Sequence, residues 1–280
     1  MSDLLLVDVG GTNMRYAYCE SGANEIHKSE KISLKNLDNF DTIIGDLIDN
    51  SDLSITNAVF SIAGPKIGNT ISMTNRSFVA NADILLEKFK LDQCYLLNDW
   101  ESIGYSLKGT PEDKIEYIKS GVQINSNSLV LGPGTGLGAA FTSTDSVIAT
   151  ELGNTTNWTS NLLKNFAINN DNGHYKTLED IVSGSGISKL YKSLSGESIS
   201  AEEVIKRFNQ NEDLALDIIN GFIKSLANVL SDAALAYVPG NGIFLAGGLS
   251  RTLLPLIDKE LFEDHFLENK SVIHKELLSK

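Results

Sequence analysis

A short apolar hairpin with a glycine-rich tip occurs twice in this chain, and the repeat restricts the fold more than any other feature. The first copy, LLLVDVGGTNMRYAYC, begins at Leu4, and the second, LVLGPGTGLGAAFTS, begins at Leu129. In both copies one strand-like run leads through glycines and a threonine into another. Two hairpins with matched patterns predict a duplicated α/β architecture in which each half presents one hairpin tip.

The residues at these tips suit the binding of an anion. Glycine lets a ligand approach the backbone closely, and successive N–H groups in such a turn form an anion-binding nest. Asp8 precedes the tip Gly10-Gly11-Thr12, and a carboxylate beside phosphates is favourable if a hard cation and water lie between them. An ordinary two-residue turn would explain Gly-Gly in the first hairpin alone. The repeat at GPGTGLG favours nucleotide binding, although neither tip opens a helix as a Walker loop or a Rossmann fingerprint does.

The composition limits the class of protein and its partners. The chain has 280 residues, enough for one large domain or two modest ones. Its net charge of -13 argues against nucleic acids and anionic membranes as partners. We expect no signal peptide, because no basic region followed by a long apolar run opens the chain. We also expect no membrane span, because no apolar run approaches ~20 residues. Cys19 and Cys94 lack metal-ligand spacing, as do the four histidines, so core thiols in a cytoplasmic protein are expected.

The polar, turn-rich segment KGTPEDKIEYIKSG, residues 108–121, marks the predicted domain boundary. Before it, residues 1–108 form a predicted small α/β domain with the first hairpin. After it, residues 109–280 form a predicted large α/β domain with the second hairpin. In this second domain, residues 212–237 have the apolar periodicity of a long helix.

The segment CYLLNDW ends an apolar strand with Asn98 and Asp99, at a position where functional side chains are common. A carboxylate there can take the proton of a hydroxyl that attacks a phosphate. The Asn amide offers both a donor and an acceptor to a hydroxylated ligand. The alternative for Asp99 is an N-cap of the helix predicted over ESIGYSL. Two phosphate-binding hairpins in the same chain favour the role of catalytic base.

Five motifs together resemble a known family. DVGGTNMR, LLNDW, GPGTGLG, SGSG and FLAGG occur in the order and rough spacing of the bacterial glucokinases, which belong to the sugar kinase, Hsp70 and actin-like ATPase superfamily. The resemblance implies an α/β fold of two ribonuclease-H-like (actin-like ATPase) domains with a central interdomain cleft. It also implies the function, which is transfer of the ATP γ-phosphate to the 6-hydroxyl of glucose to give glucose 6-phosphate and ADP.

The resemblance also assigns roles to individual residues. It implies that Asp99 is the catalytic base, and that Asp8 lies near Mg²⁺ with water between them. The implied sugar-binding residues are Asn75, Asn98, Asp99, Glu151, Asn154 and Glu179. The implied ATP-binding residues are Val7, Asp8, Val9, Gly10, Gly11, Thr12, Asn13, Gly134, Thr135, Gly136, Gly247 and Gly248. Without the resemblance, Glu151 would be an exposed loop acid and Glu179 a favourable charge in a first helical turn.

Two departures from the family pattern keep other functions open. The family usually has Glu-Gly-Gly-His where this chain has Glu151-Leu152-Gly153-Asn154, and an Asn cannot carry the charge of a His. The family also continues with a further strand and helix, whereas this chain stops at SVIHKELLSK. The alternatives are a kinase for another hexose, such as mannose or an amino sugar, and a non-catalytic sugar-sensing relative. A homodimer, in which a partner chain completes the fold, also stays open.

We predict that Gly11→Val weakens nucleotide binding and leaves the fold intact. The branched side chain would stand where the backbone is expected to approach a phosphate. Calorimetric titration with ATP and Mg²⁺ measures the affinity, and circular dichroism checks the fold. A folded variant with unchanged nucleotide affinity would contradict the assignment of this hairpin.

Overall fold

The structure, a computed structural model, consists of two compact units, Met1–Ser102 and Ile103–Lys280. It describes residues 3–10, 13–20, 22–23, 26–33, 40–73, 77–156, 159–169 and 173–280. The division between the units falls within the helix Asp99–Ser106. The boundary expected from the sequence, after residue 108, lies in the short 3₁₀ turn Leu107–Gly109 that follows this helix.

Both units are built from strands and helices. In chain order the strands are β1 (Asp3–Val9), β2 (Asn13–Glu20), β3 (His27–Ser33), β4 (Ile55–Ile62), β5 (Lys66–Ile67), β6 (Thr70–Ser72), β7 (Val79–Asn81), β8 (Gln93–Asn98), β9 (Ser128–Pro133), β10 (Leu137–Thr142), β11 (Val147–Thr150) and β12 (Gly242–Leu245). The α-helices are α1 (Phe40–Asp49), α2 (Ala82–Phe89), α3 (Asp99–Ser106), α4 (Thr159–Leu162), α5 (Gly184–Ser195), α6 (Ala201–Asn209), α7 (Asp213–Tyr237), α8 (Gly248–Leu253), α9 (Lys259–Leu267) and α10 (Val272–Ser279).

The main sheet of the first unit joins an antiparallel meander to two parallel strands, in the order β3-β2-β1-β4-β8. β2 is antiparallel to β1 and β3, whereas β4 is parallel to β1 and β8. In β1, Leu5, Val7 and Val9 are buried in a core that includes Ile44 and Phe60. This alternation is the period-two pattern of a strand with one face toward a core.

The register of the parallel strands brings three strand ends to one edge of this sheet. Val9 at the end of β1 pairs with Ile62 at the end of β4, and Ile62 pairs with Asn98 at the end of β8. The first glycine hairpin, the loop at Gly64 and the predicted base Asp99 therefore begin at the same edge. In α/β proteins, the crevice outside the carboxyl ends of parallel strands is the usual place for a ligand.

The sheet of the second unit has the order β11-β10-β9-β12. β10 is antiparallel to β9 and β11, and β12 is parallel to β9, which are the directions found in β3-β2-β1-β4. β9 is buried along its whole length, as expected for a strand that is covered on both faces. The two glycine-tipped hairpins thus occupy equivalent places in two sheets with matching strand order.

Helix α7 is the central helix of the second unit. Its buried residues include Ile218, Phe222 and Leu226, which repeat at helical spacing and pack in one core with residues of α5, α6 and α9. Among the described helices it alone is long and apolar enough to cross a membrane, but 67% of the apolar window is buried inside the protein. Such burial is typical of a core helix. By length and composition, α7 is nevertheless an exception to the expectation that no segment reaches the size of a membrane span.

The two cysteines are free thiols of the first unit. Cys19 is buried and Cys94 is partly buried. Burial, with a smaller contribution from Asp83, raises the pKa of the Cys94 thiol to about 11. Because the thiolate is the nucleophilic form, this thiol is unreactive at neutral pH, and we interpret both cysteines as packing residues.

Two helical glycines give a matched test of packing in the two units. A Cβ atom on Gly221 of α7 would lie 2.7 Å from the Asn165 carbonyl oxygen and 2.8 Å from the Phe166 ring, whereas one on Gly45 of α1 would meet Phe89 at 3.8 Å. Alanine is favoured over glycine in a helix by ~1 kcal/mol, but overpacking costs ~1–3 kcal/mol. We expect Gly45→Ala to raise the free energy of unfolding and Gly221→Ala to lower it, as measured by urea denaturation. An equal shift in both variants would contradict the close packing of α7 on Phe166.

Candidate active site

Asp8 stands one residue before the end of β1, where it bridges the two neighbouring strands. Its Oδ2 atom accepts a hydrogen bond from Arg15 of β2 at 3.3 Å, and its Oδ1 atom accepts one from the Ser61 hydroxyl of β4 at 3.4 Å. Both partners are the residues that the strand register places beside it. The side chain is 49% exposed, so a carboxylate held by both neighbours is accessible near the edge where β1, β4 and β8 end.

The first hairpin tip begins at Gly10, whose N–H donates to the carbonyl oxygen of Asn13 at 2.9 Å. Val7 and Val9 are buried in the core of the first unit, so their side chains serve packing rather than ligand contact. Three predicted site residues lie outside the described part of the chain: Gly11, Thr12 and Asn75. The assignment of this hairpin to phosphate binding stays a prediction.

Asn98 and Asp99 join β8 to α3, and Asn98 provides most of the helix cap. The Asn98 Oδ1 atom accepts the N–H groups of Trp100 at 2.8 Å and Glu101 at 3.4 Å. The Asp99 Oδ1 atom accepts the Trp100 N–H at 3.0 Å. The capping role that the sequence left open for Asp99 is therefore carried chiefly by Asn98, so helix capping alone does not account for the presence of Asp99.

The Asn98 amide also fixes the loop that follows β4. Its Nδ2 atom donates to the carbonyl oxygen of Gly64 at 2.8 Å. Gly64 has a φ angle of +156°, and a Cβ atom there would collide with the carbonyl oxygen of Ser72, so the position requires glycine. An amide nitrogen carries two hydrogens, and within the part of the chain that the structure describes, Gly64 is the one acceptor found for that of Asn98.

A partly buried ion pair next to Asp99 was not predicted from the sequence. The Glu101 side chain is 9% exposed, and its Oε2 atom accepts the N–H of Asn98 at 3.2 Å. Both of its carboxylate oxygens lie 3.2 Å from the Nζ atom of Lys66. The Asn-x-x-Glu spacing resembles a capping box, so the sequence carried a signal for half of this arrangement. Lys66 is 35 residues away along the chain, and no sequence pattern predicted that it pairs with Glu101.

The second hairpin tip, Gly134-Thr135-Gly136, is linked to the start of α5. The Gly134 N–H donates to the Gly136 carbonyl oxygen at 2.7 Å, and the Gly134 carbonyl oxygen accepts the N–H of Gly184, the first residue of α5, at 2.7 Å. Ser183 caps this helix by accepting a first-turn N–H at 2.9 Å. The exposed Gly134 and Thr135 thus stand beside a helix N-terminus, where backbone N–H groups favour an anion.

Glu179 lies directly against this hairpin tip. Its Oε2 atom accepts the Leu137 N–H at 3.2 Å. A Cβ atom on Gly136 would lie 2.5 Å from the same oxygen, so the carboxylate occupies the space that a side chain at this position would need. Glu179 therefore contacts the hairpin and is more than a favourable charge in its own 3₁₀ turn, Leu178–Asp180.

Glu151 and Asn154 are bonded to each other across a short 3₁₀ turn, Leu152–Asn154. The Nδ2 atom of Asn154 donates to the Oε2 atom of Glu151 at 3.0 Å. Both residues are exposed. A carboxylate and an amide that lie side by side and face solvent suit the hydrogen-bonding groups of a polyhydroxylated ligand.

This turn packs on the second hairpin. A Cβ atom on Gly153 would collide with the carbonyl oxygen of Leu137, so the turn lies close to the strand that leaves the hairpin tip. The Thr155 carbonyl oxygen accepts the N–H of Leu178 at 2.8 Å. The sugar-binding residues predicted for the second unit are therefore grouped with its phosphate hairpin.

Gly247 and Gly248 form the turn between β12 and α8. Gly247 has a φ angle of +102°, in the region that glycine favours, and a Cβ atom there would lie 3.8 Å from the Pro133 carbonyl oxygen. The N–H of Ala246 donates to the Leu131 carbonyl oxygen at 2.9 Å. Gly247 and Gly248, which the family resemblance assigns to ATP binding, are therefore neighbours of the second hairpin at one end of this sheet.

A magnesium ion at this site would depend largely on the nucleotide for its ligands. In the part of the chain that the structure describes, no three His, Cys, Asp or Glu side chains are grouped as a metal site. Mg²⁺ usually keeps several waters and takes one or two carboxylates together with substrate phosphates. The accessible carboxylate of Asp8 fits such an ion.

The two sheets have matching strand orders, and each contains a glycine-tipped hairpin. The glucokinase family model matches residues 5–279, and the chain belongs to the glucokinase family. It is accordingly an ATP-dependent hexose kinase.

Individual relatives agree with this assignment. A glucokinase of Chelativorans sp. (strain BNC1) is 27% identical over 300 residues, which cover 99% of this chain and 84% of that protein. The crystal structure of a glucokinase from an Antarctic psychrotroph matches with a TM-score of 0.80 and 24% identity, covering 100% of this chain and 92% of that one. A glucokinase from Balamuthia mandrillaris, solved in complex with glucose, matches with a TM-score of 0.70 and 19% identity, covering 99% and 87%. The two solved structures confirm the mixed α/β fold of a sugar kinase for this chain.

We expect Asn154→His to change the affinity for hexose, or the choice of hexose, while the affinity for ATP stays the same. Asn154 bonds Glu151 in an exposed turn, and an imidazole would offer a different donor geometry and could carry a charge. Kinetics with a panel of hexoses, and with varied ATP at saturating hexose, separate the two effects. A change confined to ATP would show that residue 154 belongs to another part of the site.

Proposed function

We propose that this enzyme is a cytoplasmic glucokinase that transfers the γ-phosphate of ATP to the 6-hydroxyl of glucose. The observation that carries the proposal is the position of Asp99, which follows β8 at the edge where β1 and β4 also end. We also propose that the two units are ribonuclease-H-like domains and that ATP and sugar meet in a cleft between them. The matching strand orders of the two sheets support the proposed domain type.

Asp99 is the proposed catalytic base. Phosphoryl transfer requires mainly positioning and neutralisation of charge, but the attacking hydroxyl must still lose its proton. In the proposed step the 6-hydroxyl oxygen forms a bond to the γ-phosphorus as the Asp99 carboxylate takes the proton. The bond from the γ-phosphorus to its bridging oxygen breaks, and ADP leaves with that electron pair.

The hydroxyl groups of the sugar are proposed to bind residues of both units. Asn98 offers its remaining amide hydrogen, because its other groups hold α3 and Gly64. Glu151, Asn154 and Glu179 supply carboxylate and amide groups from one end of the second unit. Carboxylates accept from sugar hydroxyls, and amides can both donate and accept, so this set suits a ligand rich in hydroxyl groups. Asn75 is proposed to join it.

The nucleotide is proposed to bind the hairpin tips through their backbone. The tip at Gly10–Asn13 and the tip at Gly134–Gly136 would donate N–H groups to the phosphates, and the turn at Gly247-Gly248 would pass under the nucleoside. The start of α5 beside Gly134 supports an anion at the second tip. Mg²⁺, held by Asp8 through water, would neutralise phosphate charge when bound.

A kinase for another hexose is the alternative that a specific observation favours. The amide of Asn154, which stands where the family usually has His, is bonded to Glu151. An altered contact to one sugar hydroxyl would change the preference toward mannose or an amino sugar without changing the reaction. A non-catalytic sugar-sensing relative is the second alternative. The acidic chain is proposed to bind neither nucleic acid nor membranes, and a homodimer stays open.

The sharpest test of the proposal is Asp99→Asn. The amide keeps the size of the carboxylate and can still accept the Trp100 N–H, so we expect little change in stability. Loss of a general base typically lowers the rate by about 10²–10⁴-fold. We therefore expect kcat to fall by that factor while calorimetry still detects the binding of ATP and of the preferred hexose.

Wild-type turnover is first measured as ADP release with glucose, mannose and amino sugars. Near-normal turnover of Asp99→Asn would remove Asp99 as the base. Binding of a sugar by the wild-type protein without turnover on any hexose would favour the sensing relative instead. The variant Asp83→Asn, which changes an exposed acid in the first turn of α2, is the matched control and should leave kcat unchanged.

A further inference from the structure

We propose that Glu101 and Lys66 are positioning residues that hold the predicted base, Asp99, at the end of β8. The inference rests on the proposed function, because it presumes that Asp99 acts on the substrate. Neither residue belongs to the predicted sugar or nucleotide contacts. Glu101 and Lys66 act through the backbone on both sides of Asp99. We call Glu101, Lys66 and Asn98 together the Glu101 clamp.

The first part of the Glu101 clamp is a reciprocal pair of hydrogen bonds around Asp99. The N–H of Asn98 donates to the Glu101 carboxylate at 3.2 Å, and the N–H of Glu101 donates to the Asn98 side-chain oxygen at 3.4 Å. Asp99 lies between these two residues in the chain. Its backbone is therefore bracketed by two bonds that close on each other, which is the geometry of a capping box.

The second part of the Glu101 clamp binds this helix start to the loop after β4. Lys66, the first residue of β5, lies with its Nζ atom 3.2 Å from both carboxylate oxygens of Glu101. Two residues earlier in the chain, the Gly64 carbonyl oxygen accepts the Asn98 amide at 2.8 Å. The loop and the helix start are thus joined at two points, one of them neutral and one ionic.

The charge of Glu101 has a purpose beyond the helix cap. A capping box accepts Gln as well as Glu at this position, so capping alone does not require an acid. The Glu101 side chain is 9% exposed and that of Lys66 is 31% exposed. A carboxylate so little exposed needs a partner charge, and Lys66 is that partner. The ion pair therefore adds a connection to the loop that the cap by itself does not provide.

A general base works only within hydrogen-bond reach of its proton. A misplacement of about 1 Å can cost roughly 100-fold in rate, even when the mutation lies outside the reacting atoms. The Glu101 clamp restrains the strand end, the helix start and the neighbouring loop at once. Its loss should consequently reduce kcat more than it reduces the binding of ATP.

The test compares Glu101→Ala and Glu101→Gln in the full chain, with Asn81→Ala as a matched control. Asn81 caps α2 in the same unit by accepting the N–H groups of Asp83 and Ile84, so its loss removes a comparable helix cap away from Asp99. We expect Glu101→Ala to lower kcat by roughly 10- to 100-fold, with KM for ATP changed by less than about twofold. Glu101→Gln should recover only part of this loss, because it still accepts the Asn98 N–H but no longer forms an ion pair with Lys66. Asn81→Ala should lower the thermal midpoint and leave kcat unchanged.

The role of Lys66 is tested by removing its positive charge, which balances the carboxylate of Glu101. Lys66→Met leaves the Glu101 carboxylate without its partner, whereas the double variant Lys66→Met/Glu101→Gln removes both charges and keeps an acceptor for the Asn98 N–H. We expect the single Lys66 variant to lose more kcat than the double variant. Unchanged kcat in a folded Lys66→Met variant would overturn the role of the ion pair.

Three further outcomes would each decide the matter. Unchanged kcat in a folded Glu101→Ala variant overturns the inference and leaves the proposed function intact. A loss of kcat that merely follows the loss of thermal stability, to the same extent in Asn81→Ala, shows a structural role and also overturns it. Absence of wild-type turnover with every hexose overturns the proposed function, and the inference falls with it because Asp99 would then have no reaction to serve.

Discussion

The parallel register of β1, β4 and β8 is the constraint on which the rest of the candidate site depends. Because Val9, Ile62 and Asn98 pair in one row, three loops leave the sheet at the same edge. A slip of one residue would exchange the faces of a strand. In β1 it would turn Asp8 into the core and expose Val7 and Val9. Burial of the apolar face thus helps to fix the position of Asp8, together with its hydrogen bonds to Arg15 and Ser61.

Local patterns in the sequence predicted the parts of this arrangement that depend on neighbouring residues. Residues only a few positions apart in the chain produce the alternation around Asp8, the two glycine-tipped hairpins and the change from strand to helix at Asn98. The pairing of Lys66 with Glu101 and the contact of Glu179 with the second hairpin join residues far apart in the chain. No periodicity or turn signal reports such contacts, because they arise only when the sheets and loops have packed.

Local sequence patterns also could not show whether Asn98 or Asp99 is the main cap of α3. Asn and Asp cap helices about equally well, so residue type alone did not identify the cap. The contacts that each side chain makes in the folded protein identify it. Asn98 is buried and its amide has an acceptor at Gly64, a bond that the carboxylate of an ionised Asp could not donate. An Asn at the strand end therefore satisfies the helix and the loop together and relieves Asp99 of the main capping role.

In the second unit, one oxygen atom of Glu179 connects a predicted sugar-binding residue to the predicted phosphate-binding hairpin. Glu179 Oε2 accepts the N–H of Leu137 at the base of the hairpin, and the absence of a side chain on Gly136 leaves room for it. An ionised carboxylate offers about four acceptor positions, so Glu179 can keep this bond while it accepts a sugar hydroxyl. A hexose bound there would not need to release the hairpin. The glycine at position 136 thus makes room for the acid, in addition to any role in the predicted phosphate-binding tip.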